Sequence, residues 1–197
     1  MKVAFFVSLL ICNNFLYAQN SSENDLWRTV ITDNFSRMRD TTFSKKGKVK
    51  KIKFRKEIPS IAIINVTNLT SMLEKNINSY QTYNYFNKET LELLDSTTYI
   101  DLIEKNKTSV KIDTFSVSPE ILNISFISSD SAYSLMKGGW GIEIVNISRA
   151  GFNKDKTQAF IYFEHSRCDM CGSGYFSFYK LINGRWRLVR NKIAWMS

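Results

Sequence analysis

The chain has 197 residues, a formal net charge of +9, eight glycines and two prolines. With no internal repeat and no low-complexity linker, it offers no domain boundary, so one domain is expected. No segment reaches the roughly twenty apolar residues that span a bilayer, which excludes a helical membrane protein on sequence grounds.

Residues 1–18 read as a secretory signal peptide. Lys2 supplies the positive start, Val3 to Cys12 the short apolar core, and Leu16-Tyr17-Ala18 a cleavage point before Gln19. Leu9-Leu10-Ile11-Cys12 has a lipoprotein-like outline, but the bulky Ile11 and the short core argue against it. Export to the periplasm or the medium is the expectation. Cleavage removes Cys12 and leaves Cys168 and Cys171, which in an oxidising compartment are expected to form one disulfide.

Residues 22–39 carry Trp27, Val30, Ile31, Phe35 and Met38 at helical spacing, with Ser22 and Asp25 as a capping pair. Lys45 to Lys56 then holds eight positive charges and no negative one, so the excess charge belongs to this segment rather than to the domain. Lys48, Lys50, Lys51, Lys53 and Arg55 are its candidate contacts to an anionic glycan or lipid surface. The plainer reading is a solvated loop or a lysine-protected edge strand, and Ile52 and Phe54 alternate with charges as a half-buried strand would.

A β-branched strand is predicted from Ser60 to Val66. Thr67 or Asn68 caps a helix carrying Leu69, Met72, Leu73, Ile77 and Tyr80. Asn87 caps a second, short helix that Tyr99 to Ile103 continues, with Asp95 to Thr98 read as a break. Residues 107–127 alternate weakly and are expected to be strand or loop. Ser129 or Asp130 starts a helix that stops at Gly138-Gly139. Strands are predicted at about 141–149, 157–165, 174–182 and 185–195. Early helices and late consecutive strands predict an α+β fold. N-terminal helices would pack on a C-terminal antiparallel meander of about four strands, like cystatin-like and nuclear-transport-factor-like folds by analogy only.

Asn183-Gly184 predicts a two-residue type I′ hairpin. The register it sets pairs Leu181 with Trp186, Tyr179 with Leu188, Ser177 with Arg190, and Tyr175 with Lys192. One sheet face would then run from apolar to polar. Tyr175, Ser177, Arg190 and Lys192, with His165 nearby, become the candidate lining of a pocket. An ordinary sheet end has the same pattern.

Cys168-Asp169-Met170-Cys171 has the spacing of a thiol–disulfide exchange pair. That chemistry uses a helix after the first cysteine, whereas Gly172-Ser173-Gly174-Tyr175 opens a strand, so a structural bridge is favoured. His165-x-x-Cys168-x-x-Cys171 would need a carboxylate such as Asp169 or Glu164 as fourth zinc ligand. No Gly-x-Ser-x-Gly elbow, Walker loop or dinucleotide fingerprint occurs. No catalytic set, metal or cofactor is therefore assigned.

Ser148-Arg149-x-Gly151-Phe152-Asn153, Cys168-x-x-Cys171-Gly172-x-Gly174 and Lys180-Leu-Ile-Asn-Gly-Arg-Trp186 together resemble the C-terminal half of a family of small secreted bacterial proteins of unknown function. The resemblance runs from Trp140 to Ser197 and implies export and the sheet, with no activity attached. The reading is an exported, non-enzymatic module that binds a ligand or partner. Its rivals are a thiol–disulfide exchanger, a His165-dependent hydrolase, and a polyanion binder acting through Lys45 to Lys56.

Overall fold

A computed structural model describes residues 23–36, 39–43, 49–54, 58, 60–67, 95–137, 142–168 and 171–197. The helix expected at 68–80, the segment from Asn87 to Leu94 and the Gly138-Gly139 stop lie outside them. The first helix, α1, spans 23–35. A separate antiparallel pair follows, β1 (Arg39–Phe43) on β2 (Val49–Phe54). The main sheet begins with β3 (Ser60–Ile64). Next come α2 (Ser96–Lys105), β4 (Asn123–Ile127) and α3 (Ser129–Lys137). The remainder is strand: β5 (Glu143–Ile147), β6 (Gly151–Phe152), β7 (Gln158–Cys168), β8 (Cys171–Ile182) and β9 (Arg185–Met196). No helix among the described residues is long and apolar enough to cross a membrane.

The fold is α+β, but the sheet is larger than the meander expected. Seven strands run in the order β4-β3-β5-β7-β8-β9, with β6 added on β7. β3 pairs in parallel with both β4 and β5, and the remaining pairings are antiparallel. Ile61, Ala62 and Ile63 are all buried, the pattern of a strand covered on both faces. The helices therefore divide between the faces. Leu26, Trp27, Val30, Ile31 and Phe35 of α1 share one core with Ile61, Ile63, Val145, Ile147, Ile161, Phe163 and Tyr179. On the other side Leu102 of α2 packs with Phe160, Tyr162, Phe176 and Phe178, and Ala132 of α3 with Ala62 and Ile144.

Three polar devices set the helices. Trp27 Nε1 donates to Ser148 O at 3.1 Å, and Glu23 Oε1 accepts from Ala150 N at 2.8 Å, which ties α1 to the loop after β5. Asp95 caps α2 by accepting from Thr97 N at 2.9 Å. The Asp95–Thr98 stretch is thus the beginning of a helix, because the Asp, Ser and Thr that discourage a helix interior serve well at its N-terminus. Asn106 closes α2, donating from Nδ2 to Leu102 O at 2.7 Å and to Arg149 O at 3.0 Å.

The β8–β9 turn is the one predicted: Asn183 and Gly184 have φ of 52° and 71°, the signs a type I′ turn requires. The register agrees with expectation from Ile182–Arg185 to Tyr179–Leu188. A bulge there gives β9 one extra residue, so Phe178 faces Arg190, Ser177 faces Asn191, Phe176 faces Lys192, and Tyr175 faces Ile193. The predicted pairs Ser177–Arg190 and Tyr175–Lys192 are corrected accordingly. Because side chains alternate along a strand, this one-residue shift moves Arg190 and Lys192 to the other face of the sheet.

Candidate functional site

The last turn of α1 stands over the face of β5, β7, β8 and β9 without filling it. The gap is a cavity of about 760 Å³. Thr32, Asp33, Asn34 and Phe35 of α1 and Ser36 just after it form one wall; Glu143, Phe163, His165, Arg167, Tyr175 and Asn191 form its floor. Arg167 and Asn191 mark the two ends. In register Asn191 pairs with Ser177, and Ser177 with Ile161, so the ends lie two strands and six residues apart. With strands about 4.8 Å apart and about 3.3 Å of rise per residue, the groove is on the order of 20 Å long.

At one end a buried carboxylate organises His165 and Arg167. Glu143 starts β5 with its side chain only 3% exposed. His165 Nδ1 donates to Glu143 Oε1. Arg167 donates to Glu143 Oε2 from Nε at 2.9 Å and from Nη2 at 2.8 Å. Burial alone would raise the Glu143 carboxyl, but hydrogen bonds and positive charge from His165 and Arg167 outweigh it and hold the group below its ordinary range. Glu143 is therefore ionised, and a carboxylate can only accept. A hydrogen therefore lies on Nδ1, and in the neutral form of the ring the lone pair is on Nε2. No described residue hydrogen-bonds to Nε2.

Aromatic rings fix the imidazole plane. The Tyr175 ring stacks on it at 5.6 Å and 8°, and Phe35 meets it edge-on at 5.5 Å and 84°. Phe163 also stacks on Tyr175, at 5.3 Å, giving the groove an apolar middle. The other end is polar. Asn191 Oδ1 accepts from the buried Ser177 hydroxyl at 3.0 Å, which leaves its amide N–H groups to donate. Burial raises the Asp33 carboxyl, against the opposing charge of Arg187. Beneath it, burial and then the Asp33 charge push the Tyr179 phenol far above its ordinary value, so Tyr179 stays protonated.

Of the five pocket residues read from the sequence, His165 and Tyr175 line the cavity and Ser177 lies buried below it. Arg190 and Lys192 pair with Phe178 and Phe176 and do not line it. Cys168 and Cys171 face each other in backbone register where β7 meets β8. No group of three or more metal-ligating side chains clusters among the described residues. Of the carboxylates named for a fourth zinc ligand, Glu164 accepts from Asn146 and Tyr162, and Asp169 lies outside the described residues. Lys48 and Arg55 lie outside the described residues, as do the side chains of Lys50, Lys51 and Lys53 on β2.

Glu143, Arg167, Asp33 and Asn191 were missed. Glu143 had left a signal: a lone carboxylate inside the apolar run Ile142 to Ile147 requires a buried partner. Comparison of the chain with protein-family models, curated proteins and solved structures finds no match.

Proposed function

We propose that the protein is an exported module that holds a small, elongated ligand in the groove beneath α1. The observation that carries this reading is the groove itself: it is within the size range of ligand sites, apolar in the middle and polar at both ends. A molecule with an apolar centre and hydrogen-bonding groups at its two termini matches that lining. Export rests on the signal-peptide outline of residues 1–18, and mature protein starting at Gln19 is its check by intact mass. A Cys168–Cys171 bridge is supported by the facing backbone positions; it would shape the hairpin tip beside the Arg167 end. The analogy to cystatin-like and nuclear-transport-factor-like folds is supported by the β7–β8–β9 meander alone.

The test is a thermal-shift screen of small amphiphilic compounds on the mature protein and on Thr32→Trp, which places an indole in the groove. Stabilising compounds should act on the wild type and lose their effect in the variant. Identical responses from both proteins would remove the groove as the site.

A further inference from the structure

Beyond binding, we propose that the groove is catalytic: His165 acts as a general base that activates water to hydrolyse an ester whose carbonyl lies beside Nε2. The inference rests on the groove being a ligand site, and adds chemistry to it. Three observations converge on this histidine. Its Nδ1–H is fixed by a buried, ionised carboxylate, which selects the tautomer with a basic Nε2 and steadies the imidazolium formed during turnover. Its ring is clamped between Tyr175 and Phe35, so the lone pair has one direction. Its side chain is 25% exposed and forms part of the cavity floor, so Nε2 is within reach of a bound molecule.

Arg167 lies two residues along the same face, where its positive charge favours the oxyanion that develops on the attacked carbonyl. Phe163 and Phe35 offer apolar contact to the acyl or alcohol chain, and Asn191 offers N–H donors to a polar far end. No serine, threonine or cysteine side chain hydrogen-bonds to His165 among the described residues, so the attacking group is water rather than a protein nucleophile. Nε2 takes a proton as the water oxygen bonds to the acyl carbon. The tetrahedral adduct then breaks its bond to the alkoxy oxygen, and the imidazolium returns its proton to that oxygen. Ester and water become acid and alcohol, and the imidazole is regenerated. Glu143 is a positioning residue in this scheme.

The probe is 4-nitrophenyl butyrate with the mature protein. Saturable hydrolysis is expected, about 100-fold or more above equimolar free imidazole, the scale of a positioned base. His165→Gln should reduce it to background while keeping the wild-type melting temperature within a few degrees. Glu143→Gln should lower kcat about 10- to 100-fold with little change in KM, as loss of a group that orients a histidine does. Glu143→Asp should recover part of that loss. Wild-type rates from His165→Gln, or a wild type no faster than imidazole, would overturn the proposal. Calorimetry with the inert amide 4-nitrobutyranilide separates the two levels. Binding to wild type and His165→Gln without ester turnover overturns the catalysis and leaves the ligand site, whereas absence of binding to either removes both.

Discussion

β5 and β7 build two different polar clusters from alternate residues, one on each side of the sheet. On the α1 side, Glu143, His165 and Arg167 meet at the end of an open groove. On the α2 side, Asn146, Glu164 and Tyr162 meet Trp195 of β9. Asn146 Nδ2 donates to Glu164 Oε1 at 3.1 Å, Tyr162 OH to Glu164 Oε2 at 2.7 Å, and Trp195 Nε1 to Tyr162 OH at 2.8 Å. Each cluster centres on a glutamate, yet they differ in what surrounds it. The Tyr162 cluster is packed against Gly174, where even a Cβ would collide with Trp195 and come within 2.5 Å of the Tyr162 hydroxyl. Its hydrogen bonds run from side chain to side chain and fasten β9 to β7 across β8. The Glu143 cluster ends on an imidazole nitrogen with no described partner, and His165 lines a cavity of about 760 Å³. Strand alternation thus lets one pair of strands carry a closed fastening and a cavity-lining cluster back to back.

The largest way to break this comparison is Gly174→Val. The added side chain has no room beside Trp195 and Tyr162, and the loss should be about 3 kcal/mol, read by urea unfolding. The groove on the opposite face should keep its His165 environment.

Glu143→Gln should follow, at about 2 kcal/mol near neutral pH, because it removes charge-assisted hydrogen bonds from two partners. Its cost should depend on pH in one direction. Folded Glu143 ionises below its ordinary 4.5, so at mildly acidic pH the unfolded chain binds the proton more readily. The contribution is full above about pH 4.5 and disappears as pH falls through the lower folded value. Wild type and variant should therefore converge in acid. A pH-independent gap would mean that shape rather than charge stabilises the site.

Tyr162→Phe should cost the least, about 1 kcal/mol, by deleting the hydroxyl between Trp195 and Glu164. Ester hydrolysis should be unchanged. A comparable fall in activity would show that the two faces are coupled through β7.

The legible parts of this molecule are those governed by neighbouring residues. Asn183-Gly184 fixed its turn because both positions need positive φ. Trp27, Val30, Ile31 and Phe35 announced α1 because one stripe had to be buried. What escaped depends on distant partners or on small irregularities. The parallel partners of β3 follow from burial on both faces, and a short apolar run is equally consistent with other buried elements. Leu188 and Val189 are both apolar and both partly exposed, so nothing in their chemistry marks where β9 takes its extra residue. That single residue decided whether Lys192 or Ile193 stands opposite Tyr175. His165 was recognisable as a candidate, but its partner lies 22 residues earlier on another strand. Only the pairing of β5 with β7 joins them.

The most direct measurement is the tautomer of His165, the one histidine in the chain. Long-range ¹H–¹⁵N correlation spectra of the mature protein, recorded at about pH 8 where an ordinary imidazole is neutral, report each ring nitrogen separately. The account predicts a hydrogen on Nδ1 and a lone pair on Nε2 in the wild type, with that preference lost in Glu143→Gln. A hydrogen on Nε2, or a wild-type ring that averages over both tautomers, would contradict it.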